Sequence, residues 1–84
     1  MSESICDLKD AIQIVDYELG KAIAKHPVFP CKNADALNII TEEMLELMRA
    51  VNDNESSERQ IEEAAHVAVT AIRFIQNSLV NRKK

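Results

Sequence analysis

Hydrophobic residues recur three and four positions apart in three stretches of the chain, the spacing that places side chains on one face of an α-helix. These stretches predict helices over about residues 4–25, 34–52 and 57–79. The predicted fold class is all-α, with a single domain of residues 1–84 in which three helices form an antiparallel bundle.

The predicted helices are separated by residues that break or cap a helix. Pro27 and Pro30 disfavour helical geometry at the residue before each of them, so a loop should separate the first two helices. A polar turn from Asn52 to Glu55 should separate the second helix from the third. The candidate N-terminal caps are Asn33 or Asp35 for the second helix and Ser56 or Ser57 for the third.

Glycine is rare in this chain, which favours helices over a turn-rich β fold. Gly20, the one glycine, falls inside the first helical pattern, where it costs about 1 kcal/mol relative to alanine. A close contact with another helix at Gly20 is therefore predicted.

The third helix is apolar over more than half of its circumference, because Val67 and Phe74 widen its apolar arc. Three helices in a chain of 84 residues cannot cover all of that surface. The pattern predicts a bundle completed by oligomerisation, as a homodimer or homotetramer built around the second and third helices.

Charge and cysteine usage narrow the classes of partner. No nucleic-acid partner is expected, because the formal net charge is −4 and the one basic run is Asn81-Arg82-Lys83-Lys84, whereas phosphate binding requires a basic face. No stretch approaches the 18 apolar residues of a membrane span, so no membrane partner is expected. Cys6 and Cys31 lie outside any CxxC pattern and are expected to be free thiols, which predicts a reducing, cytoplasmic location.

Acidic residues lie beside the apolar stripes of the second and third helices. Glu43 and Glu46 are three positions apart on one helix, and Glu63 and His66 are three apart on the next. If the two helices pack as a hairpin, these four side chains could converge near its middle. Like charges brought so close repel each other, and a bound divalent cation is the usual compensation.

The same residues form a motif that resembles a known family. The pattern is E-E-x-x-E on one helix and E-x-x-D on the next, and here it reads Glu42-Glu43-Met44-Leu45-Glu46 and Glu63-Ala64-Ala65-His66. With the flanking stretches FPCKNADALNIITEEMLELMRAVNDN and EEAAHVAVTAIRFIQ, the chain resembles the MazG-like all-α nucleoside triphosphate pyrophosphohydrolases, in their small phage-type form. The resemblance covers roughly residues 12–78.

What the resemblance implies is cleavage of a (d)NTP to (d)NMP and pyrophosphate with a divalent metal. By resemblance, Glu43, Glu46 and Glu63 would be catalytic residues that bind Mg²⁺ (or Mn²⁺), with His66 at the fourth metal position. A hard cation neutralises the polyphosphate and activates water, and one carboxylate would orient or deprotonate that water.

Substrate contacts are assigned from residue type and rough position alone. Arg73 or Lys21 would contact phosphate oxygens of the nucleoside triphosphate, and Phe29 in the loop would cover its base. The alternatives are that Arg73 pairs with Glu63 or faces solvent, and that Phe29 plugs one end of the bundle.

His66 departs from the family pattern, which has aspartate at this position. Imidazole is a poor ligand for Mg²⁺ but acceptable to Mn²⁺, Zn²⁺ or Ni²⁺. Three interpretations stay open: a site that works with three carboxylates, a site with another metal preference, or a fold that has lost catalysis. His66 as a polar helix residue hydrogen-bonded to Glu62 or Glu63 is a further alternative. The competing functional class is a catalytically inactive MazG-fold helical interaction protein.

Overall fold

The computed structural model describes the backbone of residues 4–82 and the side chains of residues 7–82. Over this range the chain has no strand and consists of α1 Ser4–Lys25, α2 Asn33–Asn52 and α3 Ser57–Arg82. The predicted all-α fold class is confirmed, and α3 continues beyond its predicted end near residue 79. The side chain of Cys6 lies outside the described residues, whereas Cys31 is an exposed free thiol. Among the described helices, none combines the length and the apolar character needed to cross a membrane.

Helix α3 lies between the other two helices and packs against both of them. In the described residues, α1 and α2 make no close backbone contact with each other. The contacts Glu18–His66 and His26–Arg73 show that α1 and α3 run in the same direction. The turn after α2 reverses the chain, so α2 runs antiparallel to α3. The space between α1 and α2 is therefore a cleft whose floor is α3.

The turn between α2 and α3 closes with hydrogen bonds that are typical of a helix end followed by a helix start. The N–H of Glu55 donates to the carbonyl of Ala50 at 3.0 Å. This arrangement needs left-handed backbone at Asn54, whose φ is 54°, and asparagine tolerates that conformation better than most residues. Ser56 then caps α3, because its Oγ accepts the N–H of Arg59 at 3.2 Å, and the predicted cap at this end is confirmed.

Helix α2 begins without a side-chain cap. Lys32 is the N-cap residue, has extended backbone and makes no side-chain cap hydrogen bond. The predicted cap at Asn33 or Asp35 is wrong, because both residues already lie inside the first turn of the helix. The carbonyl of Lys32 accepts the N–H of Ala36 at 3.0 Å and so starts the helical hydrogen bonding.

The loop between α1 and α2 is fastened to α3 by two side chains. Nη2 of Arg73 donates to the carbonyl of His26 at 2.7 Å, and Nδ2 of Asn77 donates to that of Pro30 at 2.9 Å. Phe29 lies between these points with only 9% of its surface exposed. Its ring centroid is 5.1 Å from the guanidinium carbon of Arg73, within cation–π distance. The loop thus closes one end of the cleft.

The apolar core of the described chain is thin. Its buried apolar residues are Phe29, Ala36, Ala50, Ala65 and Val69. Large apolar side chains stay exposed on every helix, among them Leu8, Ile12 and Ile23 on α1, Leu37, Met44, Met48 and Val51 on α2, and Ile61, Ile75 and Leu79 on α3. Large areas of exposed apolar surface mark interfaces in soluble proteins. Oligomerisation stays a prediction, and these exposed side chains support it.

The predicted close contact at Gly20 is wrong. A Cβ built on Gly20 would meet nothing within 4 Å, and the residue is exposed. The half-buried side of α1 carries Val15, Leu19 and Ala22 instead.

Candidate metal centre

Glu63 on α3 is the most completely buried charged residue of the described chain, with 2% of its surface exposed. Its side chain projects from the same side of α3 as that of His66, one helical turn later. Oε2 of Glu63 forms an ion pair with Arg59, one helical turn earlier. Oε1 of Glu63 has no hydrogen-bond partner among the described residues. A buried carboxylate oxygen left unpaired is costly, and a cation is the group that would satisfy it.

Glu43 on α2 presents a second such oxygen to the same point. Its Oε1 is also buried and has no hydrogen-bond partner within residues 7–82. Nδ1 of His66 lies 3.7 Å from this atom and 3.5 Å from Oε1 of Glu63. One ligand atom from each of the three residues falls within 4.8 Å of the other two, so the group could hold a metal ion. The hairpin of α2 and α3 therefore brings together three of the four residues that the motif contributed.

The environment of Glu43 disfavours its ionised form. Burial is the main cause that raises the pKa of the Glu43 carboxyl, and the negative charges of Glu46, Glu63 and Glu42 raise it further. The nearby imidazole of His66 acts in the opposite direction. This is the charge balance of a carboxylate that lacks a counter-ion, and a bound cation would reverse it.

The second ring nitrogen of His66 contacts α1. Nε2 lies 3.2 Å from Oε1 of Glu18, whose side chain is only 11% exposed. Oε2 of Glu18 in turn lies 3.4 Å from Nζ of Lys21. Glu18, Glu62 and His66 form a second group of close ligand atoms, which shares the histidine with the first. His66 thus lies between carboxylates from all three helices. Of the two partners predicted for it, Glu62 or Glu63, Glu63 lies 3.5 Å from Nδ1, and the hydrogen-bond partner at Nε2 is Glu18.

Arg59 supplies positive charge at the outer edge of the cluster. Its Nη1 donates to Oε1 of Glu62 at 2.8 Å, and its Nε lies 3.4 Å from Oε1 of Glu55. The hydrogen bond from Arg59 lowers the pKa of the Glu62 carboxyl, and the pairing raises the pKa of the Arg59 guanidinium. Glu62 is thereby held in its ionised form, and Oε2 of Glu63 is paired with the same guanidinium.

Glu46 is placed differently from the other motif residues. Its side chain is exposed, and it does not belong to either group of close ligand atoms in the described chain. It lines a small depression on the far side of Glu63, together with Arg49 and Arg59. Its charge nevertheless reaches Glu43, whose pKa it helps to raise. The assignment of Glu46 as a metal ligand stays a prediction.

The cluster opens into the cleft between α1 and α2, which has a volume of about 550 Å³. His66 and Glu43 line it near the cluster, and Phe29 and Arg73 line it near the loop. His66 and Arg73 are seven positions apart on α3, which corresponds to about 10 Å along the helix axis. The walls between carry Ile39, Val69, Thr70, Lys21 and Lys25. The cleft therefore combines an acidic region, an apolar region and lysines at its rim.

The three residues predicted to bind substrate all line this cleft. Lys21 is half exposed, pairs with Glu18 and places its ammonium 5.2 Å from the ring centroid of Tyr17. Arg73 is buried, and one of its guanidinium nitrogens donates to the loop carbonyl of His26. Phe29 is also largely buried beneath that guanidinium. Their roles in substrate binding stay predictions, and Arg73 and Phe29 have a structural role as well.

Sequence reasoning missed Glu18 as a member of the site. The signal in the sequence is an acid at a position where the half-buried side of α1 carries Val15, Leu19 and Ala22. An acid on such a side needs a partner, but the sequence does not say which helix supplies it. Arg59 and Asn77 were also missed, because polar residues at helix surfaces are common and their partners lie outside the motif.

No protein-family model matches the chain, and no curated protein or solved structure is significantly similar to it. The likeness to MazG-like enzymes therefore rests on the motif and its flanking residues. The structure shows a small all-α, three-helix protein with a glutamate and histidine group that could hold a metal ion.

Proposed function

We propose that this chain is a MazG-like pyrophosphohydrolase that cleaves a (d)NTP to (d)NMP and pyrophosphate with a divalent cation. One observation carries the proposal: two buried carboxylate oxygens, from Glu43 and Glu63, lack partners in the described part of the chain and lie beside Nδ1 of His66. Two carboxylates and an imidazole are a donor set that divalent metals accept. These three residues therefore fit the divalent cation that the family resemblance implies.

Different residues of the cluster would have different roles in such a site. Glu43, Glu63 and His66 would hold the cation, which when bound neutralises polyphosphate charge and activates water. One carboxylate of the cluster would orient or deprotonate the attacking water. Arg59 holds Glu63 in place through its other oxygen.

The cleft suits a ligand that is polyanionic at one end and apolar at the other. Its volume of about 550 Å³ lies within the usual range for small-molecule sites. Lys21 and Lys25 on its rim offer positive charge to phosphate oxygens that extend from the metal. Val28 and Phe29 of the loop, with Ile39 of α2, supply apolar surface in the same cleft, which supports a base near the loop.

The active form in this proposal is a homodimer or homotetramer. The exposed apolar residues Leu37, Met44, Met48 and Val51 recur on α2 at helical spacing and face away from the buried Ala36 and Ala50. A second copy of the chain that covers this stripe would bury surface that the chain alone leaves in water.

The test is a panel of (d)NTPs with Mg²⁺ and with Mn²⁺, in which release of pyrophosphate is measured separately from release of phosphate. Pyrophosphate release from at least one nucleotide is expected. Glu63→Gln should reduce the rate to background, whereas Glu58→Gln, an exposed acid of the same helix outside both groups of close ligand atoms, should leave it unchanged. Glu43→Gln serves as a second variant if Glu63→Gln does not fold. Absence of release with every nucleotide and both metals would overturn the proposal.

The competing proposal is a catalytically inactive helical interaction protein. The exposed apolar side chains on all three helices favour it, since they offer surface for a partner other than a second copy. The same panel discriminates the two, because an interaction protein releases no pyrophosphate and its acidic cluster needs no metal.

A further inference from the structure

We propose that Glu18 holds His66 as a metal ligand through Nδ1, and that the site therefore selects a first-row transition ion such as Mn²⁺ or Zn²⁺ over Mg²⁺. The inference rests on the metal site of the proposed function but not on its reaction. It assigns a role to a residue of α1 that lies outside the acidic motif.

The two nitrogens of the His66 ring have different partners. A carboxylate can only accept a hydrogen bond, so Glu18 at 3.2 Å requires the proton of a neutral imidazole to be on Nε2. Nδ1 then carries the lone pair. That nitrogen faces the unpaired oxygens of Glu43 and Glu63, at 3.7 and 3.5 Å. The lone pair is therefore on the ring nitrogen that lies near these two donor atoms.

The separations of the two oxygens from Nδ1 are close to those between ligands on one ion. Metal–nitrogen and metal–oxygen bonds of about 2.0–2.2 Å place neighbouring ligand atoms about 3 Å apart. The observed separations of 3.5 and 3.7 Å from Nδ1 need shifts of only a few tenths of an ångström at each side chain to reach this value. Glu63 is held at Oε2 by Arg59, so its free Oε1 would bind the ion alone.

Glu18 is itself fixed in place. Its side chain is 11% exposed, and its second oxygen contacts Lys21 at 3.4 Å. A carboxylate that orients a histidine in this way raises the basicity of the ring and fixes its tautomer, which strengthens the bond from the opposite nitrogen to a metal. Nitrogen ligands favour transition ions, whereas Mg²⁺ prefers an all-oxygen set. A histidine placed by Glu18 thus changes the preferred metal as well as the affinity.

The decisive experiment measures metal binding by calorimetry, with Mg²⁺, Mn²⁺ or Zn²⁺ alone and no nucleotide present. The wild type should bind Mn²⁺ and Zn²⁺ more tightly than Mg²⁺. Glu18→Ala should weaken Mn²⁺ binding by about 10- to 100-fold, the usual loss when such a supporting carboxylate is removed. Glu42→Ala removes a charge from the same cleft without touching His66 and is the matched control, with a much smaller loss expected.

A double-mutant cycle separates positioning from plain charge. In a His66→Ala background, Glu18→Ala should weaken Mn²⁺ binding no more than Glu42→Ala does, because the ring that Glu18 holds is absent. An equal loss of Mn²⁺ affinity on Glu18→Ala with and without His66 would overturn the inference. An unchanged ratio of Mn²⁺ to Mg²⁺ affinity in His66→Ala would do the same.

Two spectroscopic readouts keep the test independent of folding in the variants. In the wild type, ¹⁵N NMR should find the proton on Nε2 of His66, and pulsed EPR of the Mn²⁺-loaded protein should show coupling to a ligand nitrogen. A proton on Nδ1 or the absence of nitrogen coupling would refute the assignment. Glu18→Gln, which keeps an acceptor for the ring, should retain the coupling with lower affinity.

The outcomes also separate this inference from the hydrolase proposal. Metal binding that depends on His66 and Glu18, without pyrophosphate release, would contradict only the hydrolase proposal. Pyrophosphate release together with an Mn²⁺ affinity that is the same in the wild type and in Glu18→Ala would overturn only the role of Glu18 in positioning His66.

Discussion

Arg73 provides the sharpest test of how the loop is attached to α3. The change is Arg73→Met, which keeps an unbranched side chain but removes the guanidinium. The variant loses the 2.7 Å hydrogen bond to the carbonyl of His26 and the contact with the ring of Phe29. A hydrogen bond from a charged donor contributes about 1.5–3 kcal/mol, and a partly desolvated cation–π contact about 1 kcal/mol.

Part of this loss is offset, because methionine does not have to be desolvated as a buried guanidinium does. We expect a net decrease of about 2 kcal/mol in the free energy of unfolding, since the carbonyl of His26 is left without its partner. For a domain of this size that corresponds to roughly 8–16 °C in melting temperature. The loop and Phe29 should become more accessible before the helices unfold.

The assay is urea denaturation followed by far-UV circular dichroism at one fixed protein concentration, because an oligomer would make stability depend on concentration. Arg49→Met is the control, since Arg49 is exposed on α2, and its change should stay within about 0.5 kcal/mol. If Arg73→Met is as stable as the control, the loop is held by other contacts. If it is stable and yet binds nucleotide poorly, the substrate role predicted for Arg73 explains its position better.

Gly20, Glu43 and the apolar stripe of α2 each allow a further test. Gly20→Ala should raise the free energy of unfolding by about 1 kcal/mol in the same urea assay, because Gly20 is helical, exposed and surrounded by open space. Glu43→Gln should stabilise the metal-free protein. The pKa of Glu43 is raised above 4.5 in the folded state. Its ionisation therefore lowers the free energy of unfolding as pH increases from about 4.5 through the folded pKa, and glutamine removes this loss. The increase in melting temperature caused by Glu43→Gln should therefore grow with pH over that window. Mn²⁺ should raise the melting temperature of the wild type, because it binds only the folded protein. Glu43→Gln should lose this rise, whereas Glu46→Gln should keep more of it. Light scattering at micromolar concentration should show a dimer or tetramer that Met48→Glu shifts toward monomer, and a monodisperse wild-type monomer would contradict the assembly proposal.

The helices could be predicted from the sequence because their apolar spacing is regular and prolines or polar turns separate them. The cap at Ser56 could be predicted for a local reason, since a serine before a helix offers its hydroxyl to the third backbone N–H. The cap of α2 could not, because Lys32 shows that a helix can begin without side-chain help. Sequence rules for helix ends therefore succeed where a side chain makes the capping hydrogen bond, and fail where the backbone alone starts the helix.

The metal cluster could be predicted in part for a similar reason. Glu43, Glu63 and His66 lie on two helices joined by a short turn, so helical spacing limits where their side chains meet. Glu18 lies on α1, whose apolar positions Leu8 and Ile12 remain largely exposed, so its hydrophobic stripe alone did not define which side faces α3. The rotation of a helix about its axis is set by tertiary packing, and thin packing leaves little trace of it in sequence.

The charges around His66 are arranged so that the protein's own cations hold the outer oxygens of the carboxylates. Lys21 contacts Oε2 of Glu18, and Arg59 contacts Oε2 of Glu63. Oε1 of Glu18 faces the histidine, and Oε1 of Glu63 has no hydrogen-bond partner among the described residues. A long side chain already fixed through one oxygen loses less conformational entropy when the other oxygen binds an ion, so these pairs favour metal binding without contacting the metal. Basic residues beside an acidic motif therefore belong to the chemistry of the site, although the motif itself does not include them.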